Sequence, residues 1–270
     1  MRPTIRRSDR ATNAPPIALL VLAGIAATAV LLPFIGLASQ VPWGQLGTLL
    51  RGSVVRDALR LSLVSATAAS CISLVLGLPL AYLLARVEFP GRSLLRGVVL
   101  LPLVLPPVVG GAALLFSLGR TGLLGRPLAA TTGLVLPFST TGVVVATTFV
   151  AMPFLVITVE GALRNLDGRH EAAAMTLGAS RWTVLRRVTL PMIRPSLAAG
   201  LALTWARALG EFGATITFAG NLQGRTQTLP LAVYVALESD RDTAVALSLV
   251  MVAVSLAVIV GLRGRWWREL

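Results

Sequence analysis

Two charged residues, Arg207 and Glu211, lie four positions apart inside a long apolar segment of the sequence. Residues four apart share one face of a helix, so the guanidinium and the carboxylate can pair. A charge near the middle of a bilayer costs about 2.5–3.5 kcal/mol on insertion scales, so both side chains should face the protein interior or a water-filled path. Two interpretations stay open: an ion pair that braces the helices, or a position on a pore or gate.

The reactive side chains that the sequence lacks exclude most enzyme chemistry. It has one histidine, His170, and one cysteine, Cys71, which together cannot build a zinc site of the usual kind. All 24 basic residues are arginine, so there is no P-loop lysine for ATP and no lysine for a Schiff base. A serine hydrolase needs a base beside its nucleophile, and His170 lies in a predicted loop. We expect no catalytic residue, metal site or cofactor in this chain, which leaves transport as the leading hypothesis.

The composition indicates which elements must position these side chains. The chain has 270 residues, of which 55% are hydrophobic. Only 13% are charged, about half of the ~25% found in soluble domains. Six apolar segments approach the ~20 residues that a helix needs to cross a bilayer. Because backbone polar groups must be satisfied within the membrane, we predict an all-α membrane protein. The six predicted transmembrane helices are residues 16–38, 61–85, 97–118, 133–159, 196–219 and 243–262.

The third predicted helix holds a cluster of residues that bend helices. These residues are Pro102, Pro106, Pro107, Gly110 and Gly111. A proline inside a helix removes a hydrogen bond and clashes with the preceding turn. The cluster fits either the packing of a kinked helix or a flexible gate.

The distribution of arginines predicts the orientation in the membrane. Sixteen of the 24 lie at the two termini and in the loops after the second and fourth predicted helices, whereas seven lie in the alternate loops. Arginine-rich loops stay in the cytoplasm, so both termini are predicted to be cytoplasmic. We attribute the net charge of +13 to this orientation and not to nucleic-acid binding. Trp266 and Trp267, beside the last arginines, fit an interfacial anchor.

The predicted helices divide the chain into four parts. A cytoplasmic tail covers residues 1–15, the first transmembrane helix with an external loop covers 16–60, the main transmembrane domain covers 61–262, and a cytoplasmic tail covers 263–270. The first apolar segment follows several arginines, as a signal peptide would. Its apolar run exceeds the roughly 7–15 residues of a signal peptide, which favours a retained helix.

The longest predicted cytoplasmic loop, about Glu160–Arg194, reads as two short helices with a break. Asp167 can cap the first helix, and Gly178 suits the position that ends it. Ser180 can cap the second helix, which should run to about Leu190 before Pro191 stops it. Such a helix, exposed beside the membrane, is a docking element for a soluble partner.

A spaced pattern runs through this loop. It consists of Glu171, Ala172, Ala173, Gly178, Leu190 and Pro191. The pattern resembles the EAA loop of the membrane subunits, or permeases, of ABC importers. Leu185 and Val188 stand where that family often has an aromatic residue and an isoleucine.

The resemblance implies that the loop inserts a coupling helix into a groove on a cytoplasmic ATPase. Ala172 and Ala173 would then allow close approach, Glu171 would supply a polar contact, and Gly178 would form the turn. ATP and magnesium would be bound by the partner ATPase and not by this chain. The chain itself would be no enzyme.

The stretch from Gly210 to Ala214, Gly-Glu-Phe-Gly-Ala, resembles the oxyanion branch of these permeases, which serves molybdate, tungstate and sulfate. Its continuation through Thr215 and Thr217 to Pro230 is most similar to molybdate permeases. The resemblance covers about residues 61–262 and implies import of molybdate, with tungstate as a further substrate. A sulfate or thiosulfate permease is the alternative, and a secondary anion carrier without an ATPase is an alternative of a different class.

The resemblance also implies partners and a location. The partners would be a second copy of the chain, two ATPase subunits and an extracytoplasmic molybdate-binding protein. The protein would lie in the bacterial cytoplasmic membrane. Arg207 and Glu211 would then lie on the translocation pathway or gate. Thr215 and Thr217 would either offer hydroxyl donors to a passing oxyanion or bond to carbonyls of their own helix.

Overall fold

A computed structural model describes the backbone of residues 16–266 and the side chains of residues 16–261. The predicted tail at residues 1–15 lies outside this range. The side chains of the predicted tail at residues 263–270, including the anchor Trp266 and Trp267, also lie outside it.

Of the described residues, 16–42 form one compact unit. Within it, helix α1 spans Ile17–Ser39, which agrees with the first predicted helix to within one residue at each end. The helix is apolar throughout and long enough to cross a bilayer. Its apolar side chains, such as Leu20, Ile25 and Leu32, are exposed, as lipid contact requires.

The second unit begins at Trp43 and is also helical. In the part of the chain that the structure describes, three of its helices are long and apolar enough to cross a membrane: α3, α7 and α14. In chain order its helices are α2 (Leu46–Arg51), α3 (Ser53–Arg86), α4 (Arg92–Val104), α5 (Pro107–Leu118), α6 (Gly125–Thr132), α7 (Thr140–Asn165), α8 (Arg169–Thr176), α9 (Arg181–Val184), a π-helical turn (Leu185–Thr189), α10 (Leu190–Met192), α11 (Arg194–Leu209), α12 (Gly213–Ala219), α13 (Leu229–Ser239) and α14 (Arg241–Trp266).

The third predicted helix is broken, not merely bent. Helix α4 ends at Val104, and α5 starts at Pro107. Leu105 and Pro106 between them are extended, with ψ of 138° and 130°. A residue that precedes proline disfavours the helical conformation, and both Leu105 and Pro106 precede a proline. Pro107 is then well placed at the first position of α5, where its missing N–H breaks no bond.

The fifth predicted helix is also broken, although it contains no proline at the break. Helix α11 ends at Leu209 and α12 begins at Gly213. The carboxylate of Glu211 accepts a hydrogen bond from the Ala214 N–H at 2.8 Å. Satisfying a first-turn N–H in this way favours the start of a new helix.

Helix α13 replaces part of a predicted external loop. Its 11 residues are far fewer than a membrane crossing requires, so its apolar run gave no transmembrane signal. The Leu229 N–H donates to the Ser62 hydroxyl at 2.7 Å, which fixes the start of α13 against α3. Its buried Leu229, Ala232 and Ala236 pack in one cluster with α3 and α14.

Two long helices have different ends from those predicted. Helix α3 begins eight residues early, at Ser53, because Val55 and Ala58 in its otherwise charged first turns pack against α13. Helix α7 begins at Thr140 instead of residue 133, since Ser139 caps it by accepting the Gly142 N–H at 3.0 Å. It continues to Asn165, so Glu160 belongs to the helix and not to a loop.

The core that positions the candidate site lies between α3, α7 and the start of α11. Its fully buried members include Ala81 and Leu84 of α3 and Leu155 and Val159 of α7, packed together with Ile193. Gly200 of α11 lets that helix approach α7, because a Cβ there would lie 3.1 Å from Leu155 and 3.2 Å from Thr158.

Candidate functional site

The loop between α7 and α11, which we name the docking loop (residues 166–193), begins with helix α8. The Asp167 side chain accepts a hydrogen bond from the Arg169 N–H at 3.0 Å, at the start of α8 as predicted. Gly178 ends α8 in the left-handed region with φ of +82°. The Gly178 N–H donates to the Met175 carbonyl at 2.9 Å, and the Ala179 N–H to the Ala174 carbonyl at 3.1 Å. The predicted glycine cap is therefore confirmed.

The second helix of the docking loop starts as predicted but continues further. The Ser180 hydroxyl accepts the Thr183 N–H at 3.2 Å and so caps α9. The prediction that Pro191 stops this helix is wrong, because the chain stays helical to Met192. The π-helical turn immediately before Pro191 widens the helix, and such a turn relieves the clash between a proline ring and the preceding carbonyls.

Glu171 is turned inward, toward two other elements of the same chain. Its Oε2 lies 3.1 Å from Nη2 of Arg86, the last residue of α3. Its Oε1 accepts a hydrogen bond of 2.6 Å from the Thr189 hydroxyl, which lies in the π-helical turn. Both carboxylate oxygens of Glu171 are therefore engaged within the subunit.

The outer face of the docking loop is apolar and open. Ala172 and Ala173 are exposed, and so are Met175, Leu177 and Trp182. Leu177 is 88% exposed, although a large aliphatic side chain is normally buried. Leu190 and Pro191 are half-buried at the base of the loop. An exposed apolar surface beside a glycine turn can fit into a complementary groove on another protein.

Glu160 is a structural centre that the sequence interpretation missed. It is buried on α7, where its Oε1 accepts a 2.8 Å hydrogen bond from Nε of Arg96 and lies 3.3 Å from Nε of Arg164. The signal was present as a glutamate four residues before an arginine at the end of an apolar run. The predicted boundary at residue 159 placed Glu160 in the loop and concealed it.

Arg92 and Arg96 connect α4 to the end of α3. Nε of Arg92 donates to the Leu84 carbonyl at 2.9 Å, and its Nη2 donates to the Ala85 carbonyl at 3.2 Å. Nη2 of Arg96 also reaches the Leu84 carbonyl, at 3.3 Å. The last carbonyls of a helix lack partners within it, and cations near them are favourable.

Arg207 and Glu211 form the predicted ion pair. Nη2 of Arg207 lies 2.6 Å from Oε2 of Glu211, whose side chain is only 1% exposed. The prediction that both lie on one helix face is wrong, because α11 ends before Glu211. The Glu211 carboxylate instead joins the end of α11, through Arg207, to the start of α12, through Ala214.

The two threonines after the break differ in their surroundings. The Thr217 hydroxyl donates to the Gly213 carbonyl at 2.8 Å, which is the local bonding expected of a helical threonine. The Thr215 hydroxyl is fully buried, and within the described part of the chain it has no hydrogen-bond partner. A buried hydroxyl without a partner is unfavourable, which makes Thr215 a candidate for contact with a polar ligand or water.

The breaks in the third and fifth predicted helices lie against each other. A Cβ on Gly213 would lie 2.8 Å from Cβ of Pro107, and one on Gly111 would lie 2.8 Å from the Ala214 carbonyl oxygen. Glycine is required at both positions because a side chain would force α5 and α12 apart. Gly111 is thus a packing residue. Gly110 has a similar role against Phe149, at 3.1 Å.

Among the residues that the structure describes, no group of three or more histidine, cysteine, aspartate or glutamate side chains is placed to hold a metal ion. The charged groups of the candidate site instead pair with each other, in two regions. One region connects the docking loop to the ends of α3, α4 and α7. The other connects the two halves of the broken fifth helix.

Comparisons with known proteins extend this description. The family described as "Binding-protein-dependent transport system inner membrane component" matches residues 73–265. The "Molybdenum transport system permease protein ModB" of Mycobacterium tuberculosis is 47% identical over 247 residues, which are 92% of each chain. The "Sulfate transport system permease protein CysT" of Escherichia coli is 38% identical over 222 residues, 82% of this chain and 80% of the relative. A solved bacterial ABC transporter that imports alginate has a similar fold, with a TM-score of 0.72, 21% identity, and coverage of 93% of this chain and 95% of that one.

Proposed function

The chain belongs to the family of binding-protein-dependent transport system inner membrane components, and from that premise we propose that it is the transmembrane subunit of an ATP-driven importer of molybdate. The observation that supports molybdate as the substrate is the 47% identity to a molybdenum permease across 92% of both chains. The motif from Gly210 to Ala214 and the threonines after it are similar to that branch. Tungstate, an oxyanion of the same shape and charge, is included in the proposal.

The docking loop supports the ATP-driven part of the proposal. Its apolar outer face, with Ala172, Ala173 and Leu177, suits a groove on an ATPase subunit. Gly178, which forms the turn beside that face, has no side chain that would obstruct contact with the partner. ATP and magnesium would be bound by the partner, and this chain would contribute movement and a pathway.

The charged break between α11 and α12 is the proposed position of the translocation pathway. Irregular backbone at membrane depth is tolerated where it lines a cavity or is buried in protein, and broken helices mark substrate sites in many transporters. Arg207 is partly exposed while Glu211 is buried, so the guanidinium is the charge available to an anion. We assign Arg207 to contact with the passing oxyanion, Glu211 to holding Arg207 in place, and Thr215 to a polar contact nearby.

A sulfate importer is the second candidate, because a sulfate permease is 38% identical to the chain. The higher identity to the molybdenum permease favours molybdate. A secondary carrier explains neither the exposed apolar docking loop nor the family that the chain belongs to.

The proposed assembly has two copies of this chain, two ATPase subunits and an extracytoplasmic binding protein that delivers the anion. The family description names transport that depends on a binding protein, which supports that partner. The protein is a multi-pass membrane protein, and a bacterial cytoplasmic membrane is its proposed location.

Uptake into proteoliposomes tests the proposal. The complete complex is reconstituted with its binding protein outside, and radiolabelled molybdate uptake is measured with trapped ATP, with a non-hydrolysable analogue, and with an ionophore that removes ion gradients. We expect uptake only with ATP, unaffected by the ionophore and competed by tungstate. Uptake that follows the ion gradient without ATP would identify a secondary carrier, and uptake of sulfate in preference to molybdate would support the second candidate.

A further inference from the structure

Arg86 connects the last turn of α3 to the docking loop, and nothing in its sequence surroundings marks it among the 24 arginines. We infer that Arg86 is a positioning residue for energy coupling, which transmits displacement of the docking loop to α3 through Glu171. This inference rests on the proposed function. It changes the role expected for Glu171, which acts inside the subunit instead of offering its carboxylate to the ATPase.

The first support is the direction of the Glu171 side chain. Its carboxylate is 16% exposed, with Oε1 accepting a hydrogen bond from the Thr189 hydroxyl and Oε2 lying 3.1 Å from Nη2 of Arg86 in an ion pair. A carboxylate whose oxygens are already engaged would have to break these bonds to bind another protein. The outer face of α8 is left to alanines and to Leu177, which suits apolar contact with the partner.

The second support is what lies behind Arg86. Helix α3 is continuous over 34 residues, and its last turns carry Ala81 and Leu84, which are fully buried against α7. Tightly packed helices move as units because interiors are dense and deform little. A force applied at Arg86 is therefore applied to the last turns of α3 after Pro79 and, through Ala81 and Leu84, to α7.

The third support is that the same end of α3 collects the connections from α4 and α7. Arg92 and Arg96 hold the carbonyls of Leu84 and Ala85, and Arg96 also holds Glu160 of α7. The end of α3 is thus the place where polar contacts from the docking loop, α4 and α7 meet. Displacement received at Arg86 reaches three helices.

An ordinary bracing role is the competing explanation, and comparing assembly with stimulation separates the two. The Arg86 and Glu171 side chains are 26% and 16% exposed as a whole, while Nε and Nη2 of Arg86 are themselves buried. A bracing role predicts that Arg86→Ala weakens folding and copurification, whereas a coupling role predicts loss of stimulation in a complex that still assembles. Arg126 of α6, an exposed arginine outside the docking loop, is the control.

The test uses the complete reconstituted complex with the binding protein and molybdate. Three quantities are measured: copurification of the ATPase subunits, ATP hydrolysis without binding protein, and the stimulation of hydrolysis by molybdate-loaded binding protein. For Arg86→Ala we expect normal copurification, unchanged basal hydrolysis, and stimulation reduced by roughly tenfold, within the 5–150-fold range typical of coupling between sites. Arg126→Ala should match the wild type in all three.

Two further variants keep the outcome decisive. Arg86→Lys keeps the charge and should retain part of the stimulation, and the reversed pair Arg86→Glu with Glu171→Arg should recover stimulation relative to either single change. Normal stimulation in Arg86→Ala would overturn the inference. Loss of copurification in Arg86→Ala, Arg86→Lys and the reversed pair alike would also overturn it, because the pair would then act in folding. Failure of the proposed function itself is recognised separately, by a wild-type complex that molybdate-loaded binding protein does not stimulate.

Discussion

Nη2 of Arg207 lies 2.6 Å from Oε2 of Glu211, although helix α11 ends between the two residues. The other oxygen of Glu211 accepts the Ala214 N–H, so a single buried carboxylate joins both halves of a broken helix. A helix that crossed this region unbroken would need no such carboxylate. The Arg207–Glu211 pair therefore stabilises the break between α11 and α12. The effect of the pair on folding can be separated from its effect on transport.

The first prediction concerns that separation. Glu211→Gln leaves Arg207 without its counter-charge, and removing one partner of a buried pair costs about 3–5 kcal/mol. We expect strongly reduced thermal stability of the purified complex. The double change Arg207→Met with Glu211→Gln removes the uncompensated charge and should recover much of that stability, as measured by thermal unfolding in detergent.

Transport by the double variant then distinguishes a pathway residue from a brace. If Arg207 contacts the oxyanion, the folded double variant should show molybdate uptake well below that of the wild type. Wild-type uptake by a stable double variant would make the pair a brace and remove Arg207 from the pathway.

The second prediction concerns the close approach of α5 and α12. Gly111→Ala places a methyl group 2.8 Å from the Ala214 carbonyl oxygen and 2.7 Å from Cβ of Thr217. Overpacking of this kind costs about 1–3 kcal/mol. We expect a lower thermal unfolding temperature and weaker transport, because the two helix breaks are forced apart.

The matched control for that change is Gly97→Ala in α4, where a Cβ would meet no atom within 4 Å. This variant should equal or slightly exceed the wild type in stability, since alanine favours a helix more than glycine does. Equal stability of both variants would contradict the packing role of Gly111.

Much of this architecture could be predicted from the sequence, and the failures have physical causes. Apolar length predicts α1 to within a residue, and the cap at Gly178 follows from local chemistry alone. Pro106 and Pro107 indicate a distortion near residues 105–106, although hydropathy continues across it, whereas no proline indicates the break at residues 210–212. The break near Glu211 in particular depends on a carboxylate bonding to the backbone, which a pattern of apolar residues does not register.

The contacts of the candidate site were harder to predict than its residues. Glu171 stood out by its spacing from Gly178, but its partners Arg86 and Thr189 are 85 and 18 residues away in sequence. Glu160 was missed because it lies one residue beyond the predicted end of its helix. Contacts between distant segments depend on packing, and a single sequence contains no direct record of them.

The third prediction concerns the turn of the docking loop. Gly178→Ala places a side chain at φ of +82°, which costs roughly 1–2 kcal/mol for a residue with a Cβ. We expect α8 to end differently, and the ATPase subunits to copurify less well with the variant permease.

Gly168→Ala is the control for this change. Gly168 lies at the other end of α8 with φ of −67°, and a Cβ there would meet no atom within 4 Å. Copurification should be unchanged in this variant. Equal loss of the ATPase in both variants would show that the loop tolerates no substitution and that the turn conformation is not the cause.

The fourth prediction concerns Glu160. Glu160→Gln removes the charge that Arg96 and Arg164 approach while keeping a side chain of the same shape. Because Glu160 is buried while Arg96 and Arg164 are 28% and 44% exposed, we expect destabilisation of roughly 1–3 kcal/mol, visible as a lower thermal unfolding temperature. Asp167→Asn, at an exposed ion pair of the docking loop, should change stability by no more than about 1 kcal/mol. Similar effects of the two changes would contradict the central position given to Glu160.

Coupling of ATP hydrolysis to molybdate import is tested most directly by the rate of ATP hydrolysis of the complete reconstituted complex. The rate is measured with the binding protein empty and then loaded with molybdate, tungstate or sulfate. We expect binding protein loaded with molybdate or tungstate to stimulate hydrolysis and binding protein loaded with sulfate to leave it unchanged. Hydrolysis that is unchanged by the molybdate-loaded binding protein, in a complex that still hydrolyses ATP, would contradict the central claim that this chain couples ATP to molybdate import.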